Sequence, residues 1–272
     1  MNNKPVLFID SGIGGIPYCR DFLKKNPHET VYYLADHKNY PYGPREKEEL
    51  KSILITLTEK LLKMTDPKIV VLACNTATLA ALSSLRRKFP HVPFVGTVPA
   101  IKHAANASCN RKVGVLGTER TIEELHNLHL ADDTLEITGI TATELVDFVE
   151  LYFDTSDENE KIKIVKKYID LFREENVDTV VLGCTHFLFL IEEFRREAKP
   201  YFEIFDSLDG ITKRIEYLLN ENECALRAEK NHKPAHRLLV TGVQTSASLW
   251  EARAKAIGFN LSILETGYEQ QY

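Results

Sequence analysis

The chain has 272 residues, 44% of them hydrophobic and 27% charged, and a formal net charge of −5. That length suggests about two domains with sizeable cores. The acidic balance gives no footprint for nucleic acid, and no apolar run approaches the roughly 18 residues of a membrane span.

Strand-like apolar runs fall at 6–9, 30–35, 69–73, 94–98, 113–117, 135–140, 179–183, 201–205, 238–242 and 260–264. Helical periodicity lies between them, clearest over 46–63, 160–176 and 245–258. The polar stretch 154–161 reads as a loop opening a helix, and 227–236 as a surface connection. Near-continuous Val/Ile/Leu strands suit a parallel sheet covered on both faces. Their alternation with helices predicts βαβ units, an α/β fold. Boundaries near 98 and 206 predict a first domain of 1–97 plus 207–272 and a second of 98–206. The first ten residues run straight into a strand, which predicts no signal peptide. Five cysteines at irregular spacing, with no Cys-x-x-Cys, read as free thiols in the cytoplasm.

The chain repeats itself. VVLACNTATLAAL (70–82) and VVLGCTHFLFLIEEF (180–194) each run a β-branched strand into a small residue, a cysteine and a hydroxyl-bearing turn. Cys184 follows Cys74 by 110 residues, and Thr118 of VGVLGTERTI follows Ser11 of VLFIDSGIGG by 107. Two halves built to one plan would each supply one sulfur. A buried cysteine is usually an inert small hydrophobe, but that reading leaves the polar groups after each unexplained: Asn75 and Thr76, Thr185 and His186. Ligands bind at the carboxyl ends of strands in open α/β sheets, and helix starts there lower a thiol's pKa and hold carboxylates.

DSGIGG (10–15) reads as a βα turn with Asp10 or Ser11 as a helix cap. It is a poor dinucleotide fingerprint, because Pro17 takes the place of the third glycine, and no phosphate-loop motif occurs. Asp10 could instead tune a thiol or meet an ammonium. His186 can serve as a proton partner, and a zinc site of Cys74, Cys184 and His186 is the rival use of the same groups. NYPYGPR (39–45) is a turn by composition.

Taken in order, Asp10–Ser11–Gly12, Pro41–Tyr42–Gly43, VVLACNTA around Cys74, LGT around Thr118 and LGCTH around Cys184 resemble glutamate racemases of the cofactor-independent aspartate/glutamate racemase superfamily. The resemblance covers essentially the whole chain. It implies two similar α/β domains related by a pseudo-two-fold axis, with the active site between them. It also implies Cys74 and Cys184 as the two acid/base residues, flanked by Asp10 and His186. The implied substrate contacts are Asp10, Ser11, Tyr42, Gly43, Asn75, Thr76, Thr118, Glu150, Thr185 and His186. No cofactor and no metal are implied; the partner is the small molecule glutamate, and homodimers are frequent in the family. Three departures accompany the match. No Cys-Pro-x-x-x-Pro segment precedes Glu150, Asn39 replaces a common Arg, and Phe187–Leu188 replace a frequent Tyr-Pro. An aspartate racemase of the same superfamily, or an inactive metabolite-binding relative, would carry much of the same pattern.

Overall fold

The computed structural model describes residues 1–125, 134–242 and 247–264. Contacts divide the chain into two compact units: Met1–Thr97 with the chain from Leu208 onward, and Val98–Ser207.

The first unit runs β1 (Val6–Asp10), α1 (Ile16–Lys25), β2 (Val31–Ala35), α2 (Lys47–Thr65), β3 (Ile69–Leu72), α3 (Asn75–Lys88) and β4 (Phe94–Gly96). The second holds α4 (Ile101–Ala107), β5 (Lys112–Gly117), α5 (Glu119–Leu125), β6 (Glu136–Thr141), α6 (Thr143–Asp147), α7 (Glu158–Glu174), β7 (Thr179–Leu182), α8 (Ile191–Glu197) and β8 (Glu203–Phe205). The chain then returns to the first unit through α9 (Leu208–Glu221), β9 (Arg237–Thr241), α10 (Ala247–Ile257) and β10 (Asn260–Leu264). Of the helix expected over 245–258, residues 245 and 246 lie outside the described residues. The strand expected over 201–205 starts later, at Glu203, because a turn closed by Tyr201 N–H to the Ala198 carbonyl (2.8 Å) takes up its first residues.

All described strand pairs are parallel. The first sheet is ordered β10-β9-β2-β1-β3-β4 and the second β6-β5-β7-β8. Four strands of each unit therefore share one arrangement: second, first, third, fourth. The repeat legible in the sequence is a repeat of topology, and the first unit adds β9 and β10 beside β2. In both sheets the order reverses at the first strand, between β2 and β3 in one and between β6 and β7 in the other. Such a switch point opens a crevice at the carboxyl ends of the strands.

The central strands β1, β3 and β7 are buried at every position, as both-face coverage demands. Helix α2 presents Leu50, Leu54, Leu57 and Leu61 to the first core at helical spacing. Helix α7 begins with a capping box. The Asp157 side chain accepts from Glu160 N–H (2.9 Å), and the Glu160 carboxylate accepts from Asp157 N–H (3.0 Å). It buries Val165, Tyr168, Ile169 and Phe172. Gly114 of β5 leaves room for Phe172, whose ring atoms lie 2.6 Å from where a Cβ would stand.

A buried ion pair ties the first unit together. Lys68 Nζ lies 2.6 Å from Glu29 Oε2, with both side chains almost wholly enclosed, and it donates to the carbonyls of Asn2 (2.6 Å) and Leu226 (3.0 Å). Glu29 Oε1 accepts from Ala228 N–H at 2.9 Å. Burial pulls the Lys68 pKa below its ordinary value, and Glu29 pulls it back only in part. Removing one partner of such a pair leaves an uncompensated buried charge. Lys68→Ala is therefore expected to cost roughly 3–5 kcal/mol, read as a lower midpoint in urea unfolding.

Candidate active site

In the first unit the site is assembled where β1 and β3 end. Ala73 N–H donates to the Ile9 carbonyl at 2.8 Å, which sets the exit of β3 against that of β1. Cys74 follows at once in extended conformation as the N-cap of α3, so Asn75 and Thr76 form the first helical turn. All three are buried. The unpaired N–H groups of a helix start are suited to an anion. Asp10 is fully buried; its Oδ1 accepts from Gly12 N–H (3.2 Å) and from the Ser11 hydroxyl (3.3 Å).

The cap expected from Asp10 or Ser11 is not made. Helix α1 starts later, with Gly15 at the N-cap, no side-chain cap bond, and Pro17 in its first turn. The six-residue turn instead folds back on itself and lies against β3. A Cβ on Gly15 would stand 2.5 Å from that of Ala73, so only glycine permits the approach.

The turn carrying Tyr42 and Gly43 packs beside it. The Tyr42 ring is buried in the same cluster as Cys74, and its hydroxyl donates to Asp36 Oδ2 at 2.8 Å. Burial, followed by the Asp36 charge and hydrogen bond, pushes the phenol pKa well up, with Cys74 and Asp10 adding to the effect. Tyr42 thus stays a protonated donor aimed at Asp36. Cys19 is a bystander: burial, then the charge of Asp10, push its thiol pKa well up.

The second unit repeats the exit with different chemistry. Gly183 N–H donates to the Leu116 carbonyl at 2.6 Å, the counterpart of the Ala73 bond. Cys184 again follows in extended conformation, and the turn after it, Thr185–Leu190, is 3₁₀ and leads directly into α8. Thr185 and His186 are buried there. His186 Nδ1 lies 3.7 Å from Cys184 Sγ, and its Nε2 lies 2.9 Å from Glu150 Oε1. Thr118, at the end of β5, shares a hydrogen bond with the buried Thr121 hydroxyl (3.1 Å).

Glu150 reaches His186 from a π-helical turn, Phe148–Tyr152, that continues α6. Such wide turns occur often at functional sites. Burial alone would lower the His186 pKa, but hydrogen bonds to Cys184 and Glu150 outweigh it and hold the value well above the ordinary range. Each ring nitrogen faces one partner. One points to the carboxylate, and the other to the sulfur.

A sequence profile of the Asp/Glu/hydantoin racemase family matches residues 19–211. The chain belongs to that family. Among its relatives are the glutamate racemase of Staphylococcus carnosus, 33% identical over 88% of this chain and 90% of that one, and that of Bartonella tribocorum, 33% identical over 97% of both. Solved structures show the family's fold as well. Glutamate racemase isoform RacE1 of Bacillus anthracis superposes with a TM-score of 0.81 at 27% identity, covering 98% of this chain and 99% of its own. The Escherichia coli glutamate racemase, in complex with L-glutamate and the activator UDP-MurNAc-ala, superposes at 0.82 with 28% identity over 96% and 98%.

The residues named from the sequence are divided between the two units. Asp10, Ser11, Tyr42, Gly43, Cys74, Asn75 and Thr76 lie in the first unit, and Thr118, Glu150, Cys184, Thr185 and His186 in the second. Glu150 meets His186 although its usual flanking segment is missing. Asn39 donates to Asp36 Oδ2 (2.8 Å), and Arg45 Nε reaches back to the Asn39 carbonyl (2.8 Å). Tyr33, Asp36, Thr121 and Thr241 were not singled out. Asp36 had a signal, since VYYLAD ends in an acid as VLFID does. Among the described residues no group of three His, Cys, Asp or Glu is arranged for a metal ion.

Glu150→Gln removes a charge that favours the imidazolium. The His186 titration midpoint, followed by NMR of the ring, is expected to move to lower pH. Because the folded-state value is raised, the imidazolium's contribution to stability is complete below its unfolded value of about 6.5 and fades as pH rises through the folded one. The variant should lose that contribution earlier in the same upward titration.

Proposed function

We propose that this chain is an amino-acid racemase that interconverts L- and D-glutamate with two cysteine bases and no cofactor. The observation that carries the reading is the equivalence of Cys74 and Cys184. Each leaves the third strand of a four-strand unit, next to a backbone bond to the first strand. One thiolate takes the α-proton from one face of the substrate carbon, leaving its electron pair as a carbanion. The other cysteine, as a thiol, delivers its own proton to the opposite face. The reverse direction swaps the roles, so one sulfur is charged and one protonated at the start of each turnover.

Asp10 and His186 set those protonation states, His186 as the imidazolium beside Cys184 and oriented by Glu150. The hydroxyls of Ser11, Thr76 and Thr185 and the N–H groups at the start of α3 hold the α-carboxylate and stabilise charge in the transition state. Asn75, Thr118 and the backbone at Tyr42–Gly43 orient the remaining polar ends. A dry pocket strengthens each of these contacts. The product, D-glutamate, would supply peptidoglycan synthesis in the cytoplasm, with the enzyme working as a homodimer. Among the described residues no helix is long and apolar enough to cross a membrane.

Circular dichroism of L-glutamate incubated with the purified protein is expected to decay to zero. Cys74→Ser and Cys184→Ser should each slow that decay on the order of a thousandfold while leaving the melting temperature near wild type. Normal rates in both variants would sink the two-base reading. Turnover of aspartate in preference to glutamate would move the activity to another member of the family.

A further inference from the structure

Strand β2 carries no residue of the proposed chemistry, yet both ligand-facing turns of the first unit are fastened to it. Tyr33 is fully enclosed. Its hydroxyl donates to the Gly12 carbonyl at 2.8 Å and accepts from Gly15 N–H at 3.1 Å. One oxygen thereby bridges the two ends of the segment that follows Asp10 and Ser11. The Gly12 N–H goes the other way, to Asp10 Oδ1, so the carboxylate and the phenol fix the turn from opposite sides.

Asp36, just past the end of β2, does the same for the second turn. Its N–H donates to the Asp10 carbonyl at 2.8 Å, which sets it level with the first site. Its carboxylate, almost wholly enclosed, receives three donors: Tyr42 Oη and Asn39 Nδ2 on Oδ2, each at 2.8 Å, and Thr241 Oγ1 on Oδ1 at 2.6 Å. Thr241 ends β9 and also accepts from Lys38 N–H at 3.1 Å. There Gly242, at φ +70°, passes so close to Lys38 that a Cβ would stand 2.9 Å from its Cα. The turn bearing Tyr42 is thus clamped between β2 and β9.

We infer that Tyr33 and Asp36 are positioning residues of the active site, Tyr33 for the Asp10–Ser11 turn and Asp36 for the Tyr42–Gly43 turn. The inference rests on the reading of those turns as substrate contacts of a glutamate racemase. Misplacement by a fraction of an ångström is costly when reacting groups must be aligned. Loss of either lock should weaken glutamate turnover in the still-folded protein, beyond the loss of stability that unpaired buried groups bring.

The test compares the full-length wild type with Tyr33→Phe, Asp36→Ala, Asp36→Asn and Tyr32→Phe. Racemisation is followed by circular dichroism, glutamate affinity by calorimetry and stability by thermal melting. Tyr33→Phe keeps the ring and strands two backbone groups, so kcat/KM, assayed below the melting transition, is expected to fall roughly tenfold, with a melting temperature lower by roughly 5–10 °C. Asp36→Ala is expected to raise KM by about tenfold with a smaller change in kcat. Asp36→Asn, whose amide oxygen still accepts from Tyr42, should recover most of that loss. Tyr32→Phe, which removes a hydroxyl from the same strand outside both turns, should change nothing.

Wild-type kcat/KM in Tyr33→Phe and Asp36→Ala would overturn the inference, as would an Asp36→Asn no better than Asp36→Ala. A wild type that binds glutamate without racemising it would sink the functional reading alone. Positioning is then read from affinity, which must weaken in Tyr33→Phe and Asp36→Ala. A wild type that does not bind glutamate would overturn both.

Discussion

One short backbone hydrogen bond in each unit fixes where a sulfur leaves its sheet. Ala73 N–H to the Ile9 carbonyl and Gly183 N–H to the Leu116 carbonyl are the last rungs between the third and first strands. Beyond them the chain diverges. The first strand turns into Asp10–Ser11 or Thr118, and the third into a cysteine. The residue at the rung must be small. In the second unit a Cβ would stand 2.8 Å from the Leu116 carbonyl, and glycine is found. In the first unit alanine fits, and Gly15 makes room for it instead. Equivalent thiols in two units follow from equivalent rungs.

The scaffolds match, but the proton partners do not. Cys184 has the His186 imidazole beside it, held by the buried Glu150 carboxylate. In the first unit the buried carboxylate of Asp10 accepts from Gly12 N–H and from the Ser11 hydroxyl of its own turn. The two cysteines thus sit on equivalent strand exits in different electrostatic surroundings.

The strands, the parallel sheets and the duplicated plan were legible in the sequence because each has a local signature. Val/Ile/Leu runs, alternation with helices and the twin cysteine segments all lie within a few residues of one another. Cys74, Thr118 and Cys184 stood out for the same reason, as each follows a strand end, whereas Glu150, on a helical turn, was named only through the family resemblance. Long-range bonds were not legible. Tyr33 reads as one more aromatic in a buried strand, and nothing local says that its hydroxyl crosses to Gly12. Asp36 looked like a loop acid until three donors from separate segments met on it. The helical turn after Cys184 winds more tightly than an α-turn, with Phe187 and Leu188 packed in the core.

The wide turn that bears Glu150 has a consequence for how this segment tolerates change in length. A π-turn holds one more residue than an α-turn spanning the same stretch. Deleting Phe148 or Val149 would let the backbone relax into regular winding over the same stretch and move Glu150 by one position, on the order of 100° around the axis. The carboxylate would then face away from the imidazole, although composition, fold and both sulfurs were untouched. Insertions and deletions here, more than substitutions, are the changes by which a descendant of this chain would lose its histidine's anchor.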